Sequence, residues 1–281
     1  MGVTMPERPW FVFVTALSLI VGVFLIASHV PGNKTNLMPC YFSPSSTFSS
    51  SPSSPEASTL LSKTILHYAT SSTVPQQSIT EISVSLNVLL RRRPCNFLVF
   101  GLGHDSPMWS SFNPDGYTLF LEEDLKWYTA VMKVHPFLNA KYVEYTTQLQ
   151  LADEYLRTYR DEPSCLPKRA YVKGNKECKL ALSGLPDEVY EREWDVIMVD
   201  APKGYFPTAP GRMAAIWTAA VWGSARKSNG ETDVFLHDVD RRVEKAFATE
   251  FLCENHRVGG AQRLWHFRIP KNASASHSSF C

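Results

Sequence analysis

Two glycines, Gly101 and Gly103, with Asp105 and Glu122 beyond them, form the spacing in this sequence that most clearly could do chemistry. An apolar run, Phe97 to Phe100, leads into the glycines, and a second, Tyr117 to Leu121, ends at Glu122. Lacking a Cβ, the glycines permit a tight turn and let the backbone approach a ligand. A carboxylate at the end of the following strand is the group that meets a ribose hydroxyl pair in nucleotide-binding βα units. The spacing therefore predicts a site for an adenosine-bearing cofactor. Further along, Asp200, His237 and Asp238 each follow an apolar run, a second set able to serve as bases or metal ligands.

A dinucleotide loop carries a third glycine that brings a helix N-terminus up to a pyrophosphate. Here His104, Asp105 and Ser106 fill that stretch, and an acidic side chain would repel a pyrophosphate. S-adenosyl-L-methionine has no phosphate and carries an ammonium and a sulfonium, so Asp105 suits it. Gly101, Gly103, Asp105 and Glu122 are thus the expected cofactor-binding residues, and an NAD-linked or nucleotide-sugar enzyme is disfavoured. Methyl transfer from a sulfonium needs a nucleophile held in line, exclusion of water and, for an alcohol acceptor, a base. Asp200, His237 or Asp238 could be that base, or Asp200 and Asp238 could hold a divalent metal cation that lowers the hydroxyl pKa. The residue types leave that choice open.

These residues need a frame that brings strand ends together. Ser78 to Glu81 is a capping-box pattern followed by Ile82, Leu86, Leu89 and Leu90 at helical spacing. Strands are expected at Phe97 to Phe100, Tyr117 to Glu122, Tyr142 to Thr146, Trp194 to Asp200 and Thr232 to Asp238, with a late edge strand from Arg263 to Ile269. Helices are expected from Leu125 to His135, Leu149 to Tyr159 and Gly211 to Arg226. Such alternation gives an α/β, Rossmann-like fold: a mainly parallel sheet with helices on both faces and its ligand at the carboxyl ends of the strands.

The 281 residues hold one sizeable domain, and 44% hydrophobic content is enough for its core. Net charge is +1, which gives no nucleic-acid-binding surface; Arg91, Arg92 and Arg93 read as a solvated helix end. Trp10 to Ser28 is uncharged and long enough to span a bilayer, with a poor cleavage site after it, and reads as a signal-anchor. Residues 1–9 then form a short tail, 10–29 the transmembrane helix, 30–77 a Ser/Pro-rich stem too polar to fold, 78–270 the catalytic domain and 271–281 a polar C-terminal tail. Six cysteines lack zinc-site spacing and suggest disulfides in a secretory lumen, with Cys165 and Cys178 the favoured pair. Sequons at Asn33 and Asn272 point to the same lumen.

Several longer stretches, Cys95 to Ser106, Phe120 to Asp124, Trp194 to Pro202, Ala209 to Met213 and Glu231 to Asp240, resemble the plant glucuronic acid 4-O-methyltransferases of cell-wall polysaccharides. The resemblance covers roughly Leu89 to Pro270. It implies a single-pass type II Golgi membrane enzyme, its catalytic domain lumenal, that uses S-adenosyl-L-methionine to methylate O-4 of glucuronic acid residues on a polysaccharide or proteoglycan glycan. The stretches Asp161 to Cys165, Leu185 to Glu188 and Lys203 to Pro207 are more similar to members acting on arabinogalactan than on glucuronoxylan. Lys203, Arg212 and Arg241 could then pair with the uronate carboxylate and, with Tyr205, make up the expected substrate-binding set. A non-catalytic Golgi scaffold of the same fold in xylan biosynthesis is the rival reading.

Overall fold

The computed structural model describes residues 54–273 and 278–281, within a compact unit that runs from Ser50 to Cys281. The expected tail (1–9), the transmembrane segment (10–29), the sequon at Asn33 and most of the stem lie outside the described residues. Among the described residues no helix is long and apolar enough to cross a membrane.

The strands, β1 (Asn96–Phe100), β2 (Tyr117–Glu122), β3 (Ala140–Tyr142), β4 (Val196–Val199), β5 (Glu231–Leu236), β6 (Arg257–Ala261) and β7 (Leu264–Pro270), form one sheet in the order β3-β2-β1-β4-β5-β7-β6. The first five run parallel, and β7 is antiparallel to both its neighbours. Because alternate residues of a strand face opposite ways, β1 sends Leu98 and Phe100 to one core and Phe97 and Val99 to the other. Both faces are covered, so the central strands read as continuous apolar runs. One core packs under the helix Met213–Ser224, whose Gly223 lets it press close: a Cβ there would lie 3.0 Å from the Ile269 side chain. The order of the parallel strands reverses direction between β1 and β4, the switch point where doubly wound sheets open a crevice beyond the strand ends.

Several expectations shift. The third strand is Ala140–Tyr142, which pairs with β2 in register, while residues 143–148 carry no regular structure. Arg263 to Ile269 is not an edge: β7 lies inside the sheet and β6 forms the edge. Residues 257–261, with Gly259 and Gly260 and no apolar alternation, gave no strand signal. Arg92 is not merely solvated, since its Nε donates to Asp233 at 2.8 Å.

The stem expectation is also corrected. A helix, α1 (Pro55–Thr70), begins inside it, capped by Ser54, whose Oγ accepts from the Ala57 amide at 3.1 Å. It docks through Thr64, whose hydroxyl donates to the Pro107 carbonyl at 3.2 Å, and through Tyr68, whose hydroxyl donates to the His104 carbonyl at 2.8 Å. The next helix, α2 (Ile79–Arg92), starts on the expected capping box: the Ser78 Oγ accepts from the Glu81 amide and the Glu81 carboxylate accepts from the Ser78 amide. Cys165 is bridged to Cys178, the expected pair, and Cys253 to Cys281. The second bridge, with buried Phe280, fastens the chain's end where a loose polar tail was expected.

Candidate active site

Beyond the ends of β1, β2, β4 and β5 lies a cavity of about 410 Å³. Its walls include Gly101, Gly103, Asp105, Glu122, Asp200, Asp238, Lys203 and Tyr205. Gly101 has φ +125°, a conformation that only glycine takes without strain, and an added Cβ would come 3.2 Å from that of Ala201. At Gly103 a Cβ would meet the Asp105 carboxylate at 2.8 Å. The glycine loop is clasped by Glu122, whose two oxygens accept from the Leu102 amide at 3.0 Å and the Asp124 amide at 2.9 Å. Burial, with the Glu123 charge second, pushes the Glu122 carboxyl up to about 7.

Asp105 accepts from the Trp109 indole at 2.8 Å. Burial first, then the charge of Asp200, raises its carboxyl to about 6. Two carboxylates that repel each other across a cavity make a place that a cation would relieve.

Asp200 sits at the end of β4, its side chain a quarter exposed. Its Oδ1 accepts from His237 Nδ1 at 2.9 Å and lies 3.2 Å from the Arg212 guanidinium, and its Oδ2 accepts from the Gln77 amide at 2.9 Å. Burial would raise the Asp200 carboxyl, but the His237 hydrogen bond and then the Arg212 charge outweigh it and hold it at about 2. Burial lowers His237, yet its bond to Asp200 and the charges of Asp200 and Asp238 raise it above the usual imidazole range. Its other nitrogen, Nε2, lies 3.4 Å from the buried Glu81 carboxylate. His237 is therefore held toward imidazolium among carboxylates, and it is not one of the residues that line the cavity. That geometry does not suit the expected role of base.

Asp238 also departs from its expected role. It lies in the left-handed region, at φ 59°, and aims its carboxylate at Arg212 (2.8 Å), Arg241 (2.9 Å) and Arg263 (2.8 Å). Its side chain is only 6% exposed, so it works as a buried anchor for cations and offers little to an acceptor. Arg212, expected to meet the substrate, is 5% exposed although it touches the cavity: its two Nη atoms donate to the Asp200 and His237 carbonyls and the two aspartates, while its Nε has no partner among the described residues. The ligand atoms of Asp200, His237 and Asp238 do lie within 4.8 Å of one another. Arg212 already supplies the positive charge these carboxylates need, however, and a divalent cation there would have to displace its guanidinium. The arrangement as it stands does not fit a metal.

Lys203, Tyr205 and Arg241 stand together along the cavity's mouth. Lys203 Nζ bonds Asp124 at 2.6 Å, and Arg241 is a third exposed while paired with Asp238. Tyr205 is 68% exposed and makes a ring contact with Phe206. Two site residues escaped the sequence: Gln77, placed in the stem, and Glu81, read only as a capping residue. The capping box does position both, but nothing in one dimension says that its helix start faces β4 and β5.

The family model IRX15/IRX15L/GXM matches residues 80–267. Arabinogalactan O-methyltransferase 2 of Arabidopsis thaliana is 54% identical over 96% of this chain and 93% of its own length. Glucuronoxylan 4-O-methyltransferase 2 of the same plant is 47% identical over 79% of this chain and 76% of its own. Among solved structures, a methyltransferase-like protein of Silicibacter pomeroyi is 16% identical, with a TM-score of 0.40, over 70% of this chain and 89% of its own.

Proposed function

The chain belongs to the IRX15/IRX15L/GXM family, and from that premise we propose that it is an S-adenosyl-L-methionine-dependent methyltransferase acting on O-4 of glucuronic acid in arabinogalactan side chains. The observation that carries the cofactor half is the cavity itself: a glycine loop, a ribose-competent Glu122, and the acids Asp105 and Asp200, with the cations Lys203 and Arg241 of its wall already paired to Asp124 and Asp238. The acceptor half rests on the 54% identity to a protein named for arabinogalactan, against 47% for one named for glucuronoxylan.

In this reading Gly101 and Gly103 admit the cofactor's backbone contacts, Glu122 takes the ribose hydroxyls, and Asp105 faces the ammonium. The sugar hydroxyl attacks the methyl carbon. The C–S bond breaks with its electron pair leaving on sulfur, and S-adenosylhomocysteine departs neutral. The proton goes to Asp200. A carboxylate held at about 2 is a weak base, but a sugar oxygen that has gained a methyl group is a far stronger acid, so a weak base suffices once the O–C bond forms. Arg212 and His237 keep Asp200 fixed in place, and no step passes through a metal. Lys203, Tyr205 and Arg241 take the acceptor at the mouth, the cations toward the uronate.

The apolar run from Trp10 to Ser28 and the two disulfides support a Golgi-anchored, lumenal enzyme. The test is product analysis. Full-length chain is incubated with labelled cofactor and either arabinogalactan or glucuronoxylan, and the polymer is hydrolysed. Labelled 4-O-methylglucuronic acid from arabinogalactan is expected. Label from xylan alone moves the acceptor, and label in neither polymer favours the scaffold reading.

A further inference from the structure

Gln77 lies at the junction between α1 and α2, before the stretch the family model matches. It is 3% exposed, and its side-chain amide donates to Asp200 Oδ2 at 2.9 Å while standing 3.8 Å from the Met198 sulfur. Its carboxamide oxygen is buried with no donor among the described residues. The amide cannot simply be turned over to satisfy that oxygen, because the oxygen would then face a carboxylate. The residues just before it, Thr73, Val74, Pro75 and Gln76, line the cavity, as do Met198 and Asp200. A buried acceptor left unpaired costs free energy until something supplies an N–H or O–H.

We infer that the junction from Thr73 to Gln76 is a wall of the cofactor site, with Gln77 behind it a positioning residue that holds Asp200 by its amide. The inference rests on the reading that this cavity takes S-adenosyl-L-methionine. It places the end of the supposed stem inside the reaction machinery. It also explains why the start of α2 is so firmly fixed: the capping box that sets Gln77 against Asp200 also sets Glu81 3.4 Å from His237.

A packing role and a positioning role separate on Gln77→Met, which keeps the volume and removes both polar groups, with Gln77→Ala as companion. Steady-state kinetics on the full-length chain are measured beside thermal melting. Positioning predicts that Gln77→Met melts as the wild type does, while its kcat falls by about tenfold, the size of one lost hydrogen bond to a charged group. The acceptor KM stays unchanged, and Gln77→Ala behaves alike in kinetics. Wild-type kcat in Gln77→Met would overturn the inference, as would loss of its melting transition, which would make Gln77 a structural residue. A wild-type chain without transfer activity would instead overturn the functional reading on which the inference rests.

Discussion

At the scale of residues, the site is an arrangement of charges whose balance is unusually complete. The carboxylates of Asp200, Asp238 and Glu81 lie against Arg212, His237, Arg241 and Arg263, most of them in little solvent. Breaking such a set by removing one partner leaves uncompensated buried charge. Arg212→Ala is therefore expected to lose about 3–5 kcal/mol of stability, read by denaturant unfolding, and Arg212→Lys not to restore it, because a point charge cannot reach both aspartates and two carbonyls. Asp105 makes a pH prediction. Its carboxyl, raised to about 6, is ionised above that value and protonated below it. A cationic cofactor favours the ionised form. Affinity should fall as pH drops through about 6, and Asp105→Asn should bind more weakly at neutral pH and show a smaller fall, the remainder following Glu122 at about 7, both read by calorimetry.

Elements explain how those residues meet. The α2 capping box was legible from Ser78 and Glu81, as were β1, β4 and β5 from their apolar runs. What was not legible is which elements face each other. Gln77 reads as one more polar residue after a Ser/Pro-rich stretch, and only the sheet's switch point gives it Asp200 for a neighbour. Arg212 reads as a surface cation until a helix start buries it. Gly259 and Gly260 hide β6, because hydrogen bonding to β7 makes that strand where side chains do not. Two predictions belong here. Ser78→Ala should cost about 1 kcal/mol of stability in thermal melting and should lower activity by more than that loss explains, since the cap also places Gln77 and Glu81. Removing the bridge between Cys165 and Cys178, with Cys165→Ser and Cys178→Ser together, should cost about 3 kcal/mol in reversible unfolding, with the cofactor site, built from other elements, still binding.

For the molecule as a whole, fold and family speak to different halves of the account. The reversal of strand order between β1 and β4 creates the crevice, and in the proposed reading the glycine loop with Glu122 takes the adenosine end. In the proposed reading the acceptor meets Lys203, Tyr205 and Arg241, and there the sequence supplied residue types but not their engagements. Lys203 is tied to Asp124 and Arg241 to Asp238, so a uronate must compete for cations that already have partners. The central claim is that the crevice binds S-adenosyl-L-methionine through the glycine loop. Calorimetry of the cofactor with full-length wild type and with Gly101→Ala tests it most directly. Saturable binding to the wild type is expected, with its loss in a Gly101→Ala variant that still melts cooperatively; equal binding by the two folded proteins would contradict a glycine-loop site.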